Sequence, residues 1–253
     1  GIKPFIYFSG GEPLLRPDIF EVIRHIKSRK MLTGLVSNGS FLTEANARQL
    51  IDARVDFFSV SIDGPLPYHD NVRGVPGAFD LAVEGLKRLI RVREERKVVF
   101  PHIRVASIID PQNLDNSIFV VRLADELKVD ELAFGNLMFY TPEVKERFAA
   151  FRKESGLDVT FINGAEIKGD FKFNVDKEKL AGFLQETRSC KVPVCFVPAG
   201  INFFDYYSFK EPSLKSRCMN PWYSVTILPD GNITPCQGLI LGNVKKDRLM
   251  KVW

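Results

Sequence analysis

Cysteine is scarce. The 253-residue chain has four, Cys190, Cys195, Cys218 and Cys236, all in its last quarter. A disulfide framework would be spread more evenly and would suit a smaller secreted domain. Long apolar runs are missing too: none reaches the length of about 18 residues that a membrane-spanning helix needs. The chain opens at Gly1 without an initiator Met, a charged leader or an apolar leader core. No secretory signal is visible, and a processed or cut start is expected. Histidine is limited to His25, His69 and His102. Neither H-E-x-x-H nor a G-x-S-x-G elbow occurs, so a His-based hydrolase is not supported. The G-x-G-x-x-G and G-x-x-x-x-G-K-[ST] loops are absent as well, and ordinary NAD and ATP readings lose ground. The excess of one charge sign is small, Lys+Arg 35 against Asp+Glu 31 for a formal +4. A nucleic-acid partner would call for a clustered basic face, and none is expected.

What remains is an ordinary globular composition, 45% hydrophobic and 26% charged. It suits one large domain, or one with a small appendage, and rules out a disordered chain. The first half has a βα rhythm. Apolar runs at 4–8, 32–36, 55–60, 103–109 and 131–134 alternate with helix-patterned stretches at 18–29, 43–53, 79–95 and 116–127. Asp18 and Thr43 are the predicted N-caps. Continuous apolar strands between amphipathic helices indicate parallel βαβ units buried on both faces. After about Tyr140 the rhythm fades. Asp176 to Thr187 predicts one more helix, and 192–197 (VPVCFV) reads as a strand. From Ser213 the texture turns to short strands, and Asp230-Gly231 between apolar runs predicts a hairpin. Residues 1–212 and 213–253 are therefore read as two domains.

Five successive strands end in small or polar residues: Ser9-Gly10-Gly11-Glu12, Ser37-Asn38-Gly39, Ser61-Ile62-Asp63-Gly64, Asp110 and Gly135-Asn136. A doubly wound sheet would concentrate function at one loop, whereas a barrel spreads it over many strand ends. The pattern favours a partial barrel with one site at its C-terminal mouth. Gly10 and Gly11 let a ligand approach the backbone, and Glu12 can accept from an ammonium group. Asn38 offers an amide, Ser61 a hydroxyl and Asp63 a carboxylate, and Arg73 can clamp a carboxylate. His69 and Asp70 read equally well as a solvated loop pair. Cys218 and Cys236, each beside turn chemistry, suit a soft metal or an iron–sulfur cluster. Paired C-x-x-C knuckles, the usual structural zinc signature, are missing.

Taken together, Ser9 to Leu15 (SGGEPLL), Ser37-Asn38-Gly39, Ser59 to Gly64 (SVSIDG), Arg73-Gly74, Cys218 to Trp222 (CMNPW), Asp230 to Cys236 (DGNITPC) and Gly242-Asn243-Val244 resemble the radical S-adenosylmethionine (radical SAM) superfamily, in members with a C-terminal SPASM or twitch domain. The resemblance implies an α/β fold: a partial (β/α)6 TIM-like barrel, here lacking its first βα unit, plus a small β-rich cluster domain. It implies S-adenosylmethionine held by Gly10, Gly11 and Glu12, with Asn38, Ser61, Asp63 and Arg73 as further ribose or carboxylate contacts. It also implies an auxiliary [4Fe–4S] cluster with Cys218 and Cys236 among its ligands. The family's Cys-x3-Cys-x2-Cys loop, which holds the reactive [4Fe–4S] cluster, is not in this sequence. Only nine residues precede Gly10, so truncation is expected, and the first strand should lie at a bare sheet edge.

The implied reaction is reductive cleavage of S-adenosylmethionine to a 5′-deoxyadenosyl radical that abstracts hydrogen from a peptide or protein side chain. Electrons would come from a one-electron donor such as ferredoxin or flavodoxin, in a reducing cytoplasm. The alternatives are a tetrapyrrole or other small-molecule substrate, or a non-catalytic scaffold that has lost the cluster loop. An ordinary barrel lyase would need a lysine or metal ligands at strand ends, which the sequence does not offer.

Overall fold

The computed structural model describes residues 3–156, 165–166, 173, 175–197, 203–207, 219–235 and 239–252. They divide between two compact units: Gly1–Leu137 with Phe173–Tyr207, and Met138–Lys172 with Ser208–Trp253.

The first unit begins with β1 (Phe5–Phe8), α1 (Ile19–Ser28), β2 (Leu32–Ser37), α2 (Glu44–Asp52), β3 (Phe57–Ser61), α3 (Tyr68–Arg73), α4 (Ala78–Glu95), β4 (His102–Ile109), α5 (Leu114–Leu127) and β5 (Glu131–Asn136). In chain order there follow, in the second unit, β6 (Phe139–Tyr140), α6 (Pro142–Ser155) and β7 (Ala165–Glu166), then in the first α7 (Lys177–Ser189), β8 (Val194–Val197) and α8 (Phe203–Tyr207). Six strands form one sheet in the order β1-β2-β3-β4-β5-β8. Every pairing is parallel. This is the partial (β/α) barrel that the alternation predicts. β1 lies at its edge.

Side-chain parity divides the sheet. Leu35, Phe58, Val60, Ile103, Val105, Leu132 and Phe134 are essentially fully buried in the core with Ile19, Ile23, Leu50, Leu86, Leu89, Val120 and Phe183 from the helices. The alternate residues Tyr7, Ser59, Ser61, Arg104, Ala106, Glu131, Ala133 and Cys195 point to the other, inner face. Cys195 is only half-buried there. The apolar run around it suggests a core cysteine, but Val194 and Phe196 are the residues packed on the core.

Caps follow the sequence in part. Thr43 Oγ1 accepts from the Asn46 amide at 3.2 Å, and Asp176 Oδ1 accepts from the Glu178 and Lys179 amides. Asp18 occupies the N-cap position of α1 without capping it; its carboxylate pairs with Arg16 at 2.6 Å instead. The His69–Asp70 pair is no solvated loop. It lies on α3, where His69 is 1% exposed. Asp70 reaches forward to accept from Gly77 and Phe79 at 2.5 and 2.8 Å, and so closes the start of α4.

A repeated clamp ties the N-terminal ends of the strands. Asp56, just before β3, accepts from the Thr33 amide of β2 at 2.8 Å and from Lys27 of α1. Asp130, just before β5, accepts from the Ile103 amide of β4 at 2.7 Å and from Arg93 of α4. Each carboxylate thus fastens a strand entry to a neighbouring strand and to a helix end. No helix among the described residues is long and apolar enough to cross a membrane.

In the second unit β6 and β7 pair in parallel. Near the C-terminus come α9 (Asn220–Tyr223), β9 (Thr226–Ile227), β10 (Asn232–Thr234), β11 (Gly242–Asn243) and α10 (Leu249–Val252). The three strands form an antiparallel sheet in the order β11-β10-β9. The Asp230-Gly231 turn joins β9 to β10 as predicted, with Gly231 at φ +94° and Asp230 accepting from the Asn232 amide at 2.9 Å. Asn243 stitches the sheet: its Nδ2 donates to Asn232 Oδ1 at 2.9 Å and to the Asp230 carbonyl at 3.2 Å.

Removing the Asp130 carboxylate orphans the Ile103 amide and leaves the half-buried Arg93 only the Pro101 carbonyl as partner among the described residues, at 3.0 Å. Asp130→Ala should lower the unfolding free energy by about 1–3 kcal/mol, read as a lower urea midpoint at unchanged slope.

Candidate active site

The C-terminal ends of β1 and β2 are joined by one carboxylate. After β1 the chain turns through Gly10, at φ +105°, a conformation that side chains with a Cβ disfavour. Glu12 then caps a single 3₁₀ turn at Pro13–Leu15. Its Oε1 accepts from the Leu14 amide at 3.1 Å and from Ser37 Oγ at 2.9 Å, and its Oε2 accepts from the Asn38 amide at 2.7 Å. A carboxylate has about four acceptor positions, so these bonds leave roughly one for a ligand donor. A Cβ on Gly10 or Gly11 would meet nothing within 4 Å. The backbone here borders open space.

The second strand end is wound tightly. Ser37 Oγ accepts from the Gly39 amide, and Asn38 Oδ1 accepts from the Ser40 amide, both at 2.9 Å. Gly39 has φ +81°, and a Cβ there would fall 2.7 Å from Cα of Ala82 in α4. Ser37 is a member of the site that sequence reasoning passed over. Its signal was the Ser-Asn-Gly turn itself.

At the third strand end Ser61 lies half-buried on the inner face. Asp63 is 4% exposed. Its Oδ1 accepts from the Ile108 amide at 3.2 Å, and its Oδ2 pairs with Arg73 Nη2 at 2.7 Å. The structure therefore brings Asp63 and Arg73 to each other. It brings Glu12 to the backbone amide of Asn38.

Behind Asp63, the Asp63 amide donates to Nδ1 of His69 at 3.1 Å. That bond needs an unprotonated Nδ1, so the ring is neutral. Burial, the largest influence, lowers the His69 pKa against the opposing pull of Asp63. Tyr68 donates to Asp110 Oδ2 at 3.1 Å, and burial with this carboxylate pushes the phenol up to about 12. It is a fixed hydrogen-bond donor at neutral pH. Tyr68 carried no motif, and only the fold brings it to the fourth strand end. Two buried atoms nearby in sequence, Ser107 Oγ and Asn116 Nδ2, have no hydrogen-bond partner among the described residues.

No group of three or more potential metal-ligating side chains occurs among the described residues. Cys218 and Cys236 lie outside those residues. The donor chemistry around Glu12 fits an ammonium-bearing ligand, with one acceptor position and an open backbone edge.

Residues 1–103 match the radical SAM superfamily, and residues 218–253 match an iron–sulfur cluster-binding domain. The radical SAM match takes in the first 103 of the 253 residues, and the cofactors of that superfamily are S-adenosylmethionine and [4Fe–4S] clusters. An AdoMet-dependent heme synthase of Methanosarcina barkeri is 39% identical over 126 residues, covering 49% of this chain and 34% of that protein. A PqqA peptide cyclase of Rhizobium meliloti is 26% identical over 98% of this chain and 60% of its own length. The chain thus spans from about a third to three fifths of these relatives. Among solved structures, Streptococcus suis SuiB superposes with a TM-score of 0.66 at 17% identity, over 98% of this chain and 55% of that one. That likeness shows the fold.

His69 provides a pH test. Its folded-state pKa lies below that of the unfolded chain, about 6.5, so the unfolded state takes up the extra proton. Stability should fall as pH drops from about 6.5 toward 5. In His69→Asn, whose amide oxygen can also accept from Asp63, urea midpoints should lose this slope.

Proposed function

We propose that this chain is the core of a radical SAM enzyme that cleaves S-adenosylmethionine reductively and takes hydrogen from a peptide or protein side chain. The observation that carries the cofactor half is Glu12, held at two strand ends with one acceptor position free. When bound, the cluster and S-adenosylmethionine together supply a carbon-centred radical strong enough to take hydrogen from an unactivated C–H bond. The chain's own residues orient and enclose. Glu12 receives the methionyl ammonium by a charge-assisted bond. Gly10 and Gly11 let the ligand lie along the backbone. Asn38 and Ser61 offer an amide and a hydroxyl beside it. Asp63 and Arg73 act as a pair that fixes α3 under the third strand end, and the guanidinium donors that Asp63 leaves unused can reach a ribose or carboxylate. Cys218 and Cys236, in residues 213–253, are the proposed auxiliary-cluster ligands, and a ferredoxin- or flavodoxin-type donor supplies the electron.

The peptide half rests on the relatives. The likeness to PqqA peptide cyclase runs through nearly the whole chain, the C-terminal cluster-domain stretch included. The heme synthase likeness is closer in identity but covers half of the chain. It keeps a tetrapyrrole substrate as the second reading.

The test is anaerobic reconstitution, with iron and sulfide, of the full-length gene product, in which the Cys-x3-Cys-x2-Cys loop is expected, followed by S-adenosylmethionine binding and 5′-deoxyadenosine release under reductant. Wild type should take up iron and release the nucleoside. Glu12→Gln keeps one acceptor oxygen but loses the charge, and should weaken S-adenosylmethionine binding about tenfold, or roughly 1.4 kcal/mol. Unchanged affinity would remove Glu12 from the site, and an iron-free preparation would defeat the reading.

A further inference from the structure

Three side chains on the inner face converge on one carboxylate. Glu131 Oε2 receives Nε and Nη2 of Arg104 at 2.9 and 2.7 Å and stands 3.2 Å from His102 Nε2. Glu131 Oε1 lies 3.0 Å from Cys195 Sγ. The parallel register builds this cluster. Arg104 pairs with Glu131 across β4 and β5, and Cys195 pairs across β5 and β8 with Ala133, two residues past Glu131 on the same face. Phe57 carries the guanidinium, 4.5 Å below its carbon. Arg104 and its neighbours keep Glu131 charged: its pKa is lowered by hydrogen bonds from Cys195, Arg104 and His102 that outweigh burial. The titratable and charged groups gathered here are Glu131 on β5, Arg104 and His102 on β4 behind it, and Tyr7 on β1, which feels both Arg104 and Glu131.

A charged carboxylate at this distance accepts S–H and repels a thiolate. Iron binding and oxidation both begin from the thiolate. We propose that Glu131 is a thiol guard: it holds Cys195 as an S–H donor and so withholds this sulfur from iron and from oxidants, leaving cluster ligation to the cysteines at 218 and 236. The iron clause rests on the proposed function; the protonation of Cys195 does not. Burial acts in the same direction, and together with Glu131 it pushes the thiol up to about 11.

The metal-free protein is treated with iodoacetamide across a pH series, and the peptides holding Cys190 and Cys195 are quantified by mass spectrometry. The Cys195 rate should keep rising past pH 10 instead of levelling near the ordinary thiol value of about 8.5. Glu131→Gln keeps the side chain's size but leaves Arg104 uncompensated near the sulfur. It should raise the Cys195 rate at pH 8 about tenfold or more, with Cys190 as the internal reference. An unchanged rate in the folded variant overturns the guard, as does a wild-type profile that levels off near 8.5. Should that variant not fold, Glu131→Asp, which keeps a carboxylate for Arg104 but draws it back from the sulfur, replaces it, and an unchanged Cys195 rate there overturns the guard. After anaerobic reconstitution of the full-length gene product, Cys195→Ala should hold as much iron as wild type, and lost iron overturns the guard. Wild type that takes up no iron while Cys195 stays unreactive would instead defeat the proposed function and leave the guard standing.

Discussion

The Glu12 carboxylate, stretched between two strand ends, sets the geometry of the candidate site. Parallel neighbours exchange hydrogen bonds along their length, but beyond their last ladder bond nothing in the sheet fixes how the departing loops lie. Here one side chain fixes both. It caps the turn after β1 and takes a hydroxyl and an amide from the end of β2. The group proposed to meet the cofactor is thus also the group that shapes its surroundings. Such a double role reduces the freedom the side chain must give up on binding, because its rotamer is already chosen.

Stability and chemistry are placed at opposite ends of the same strands. Asp56 and Asp130 clamp the strand entries, each with a cation from a helix. The exits carry Glu12, Asn38, Ser61 and Asp63. This is the division expected of barrel-type α/β proteins, where one end serves the fold and the other the reaction. Asp63 shows how close the two demands come. It is an exit residue by position, yet its described bonds hold Arg73 and the β4 backbone.

Much of this was legible in the amino-acid order. The alternation of apolar runs with 3.6-period stretches marks each βα unit through β5, and Asp230-Gly231 marks the hairpin. The strand ends stand out because small and polar residues recur there. What could not be read depends on which partner each side chain finds. His69 resembles a surface histidine until Asp63, six residues earlier, donates to its ring. Asp18 has the chemistry of a cap, but Arg16 competes for it locally. Cys195 sits in an apolar run, and in a parallel strand such a run hides which parity faces the helices. Only the pairing with β5 puts its sulfur beside a carboxylate.

The turn bearing Asn38 touches the longest helix of the first unit. Gly39 brings its backbone so near Ala82 that there is no room for a methyl group between them. Helix α4 therefore works as a depth stop for the second strand end: the height at which that amide is offered to a ligand is set by where an outer helix rests. Repacking on the far side of α4 would reach the mouth of the barrel as a change in loop level, transmitted through the close packing of Gly39 on Ala82 and Gly85.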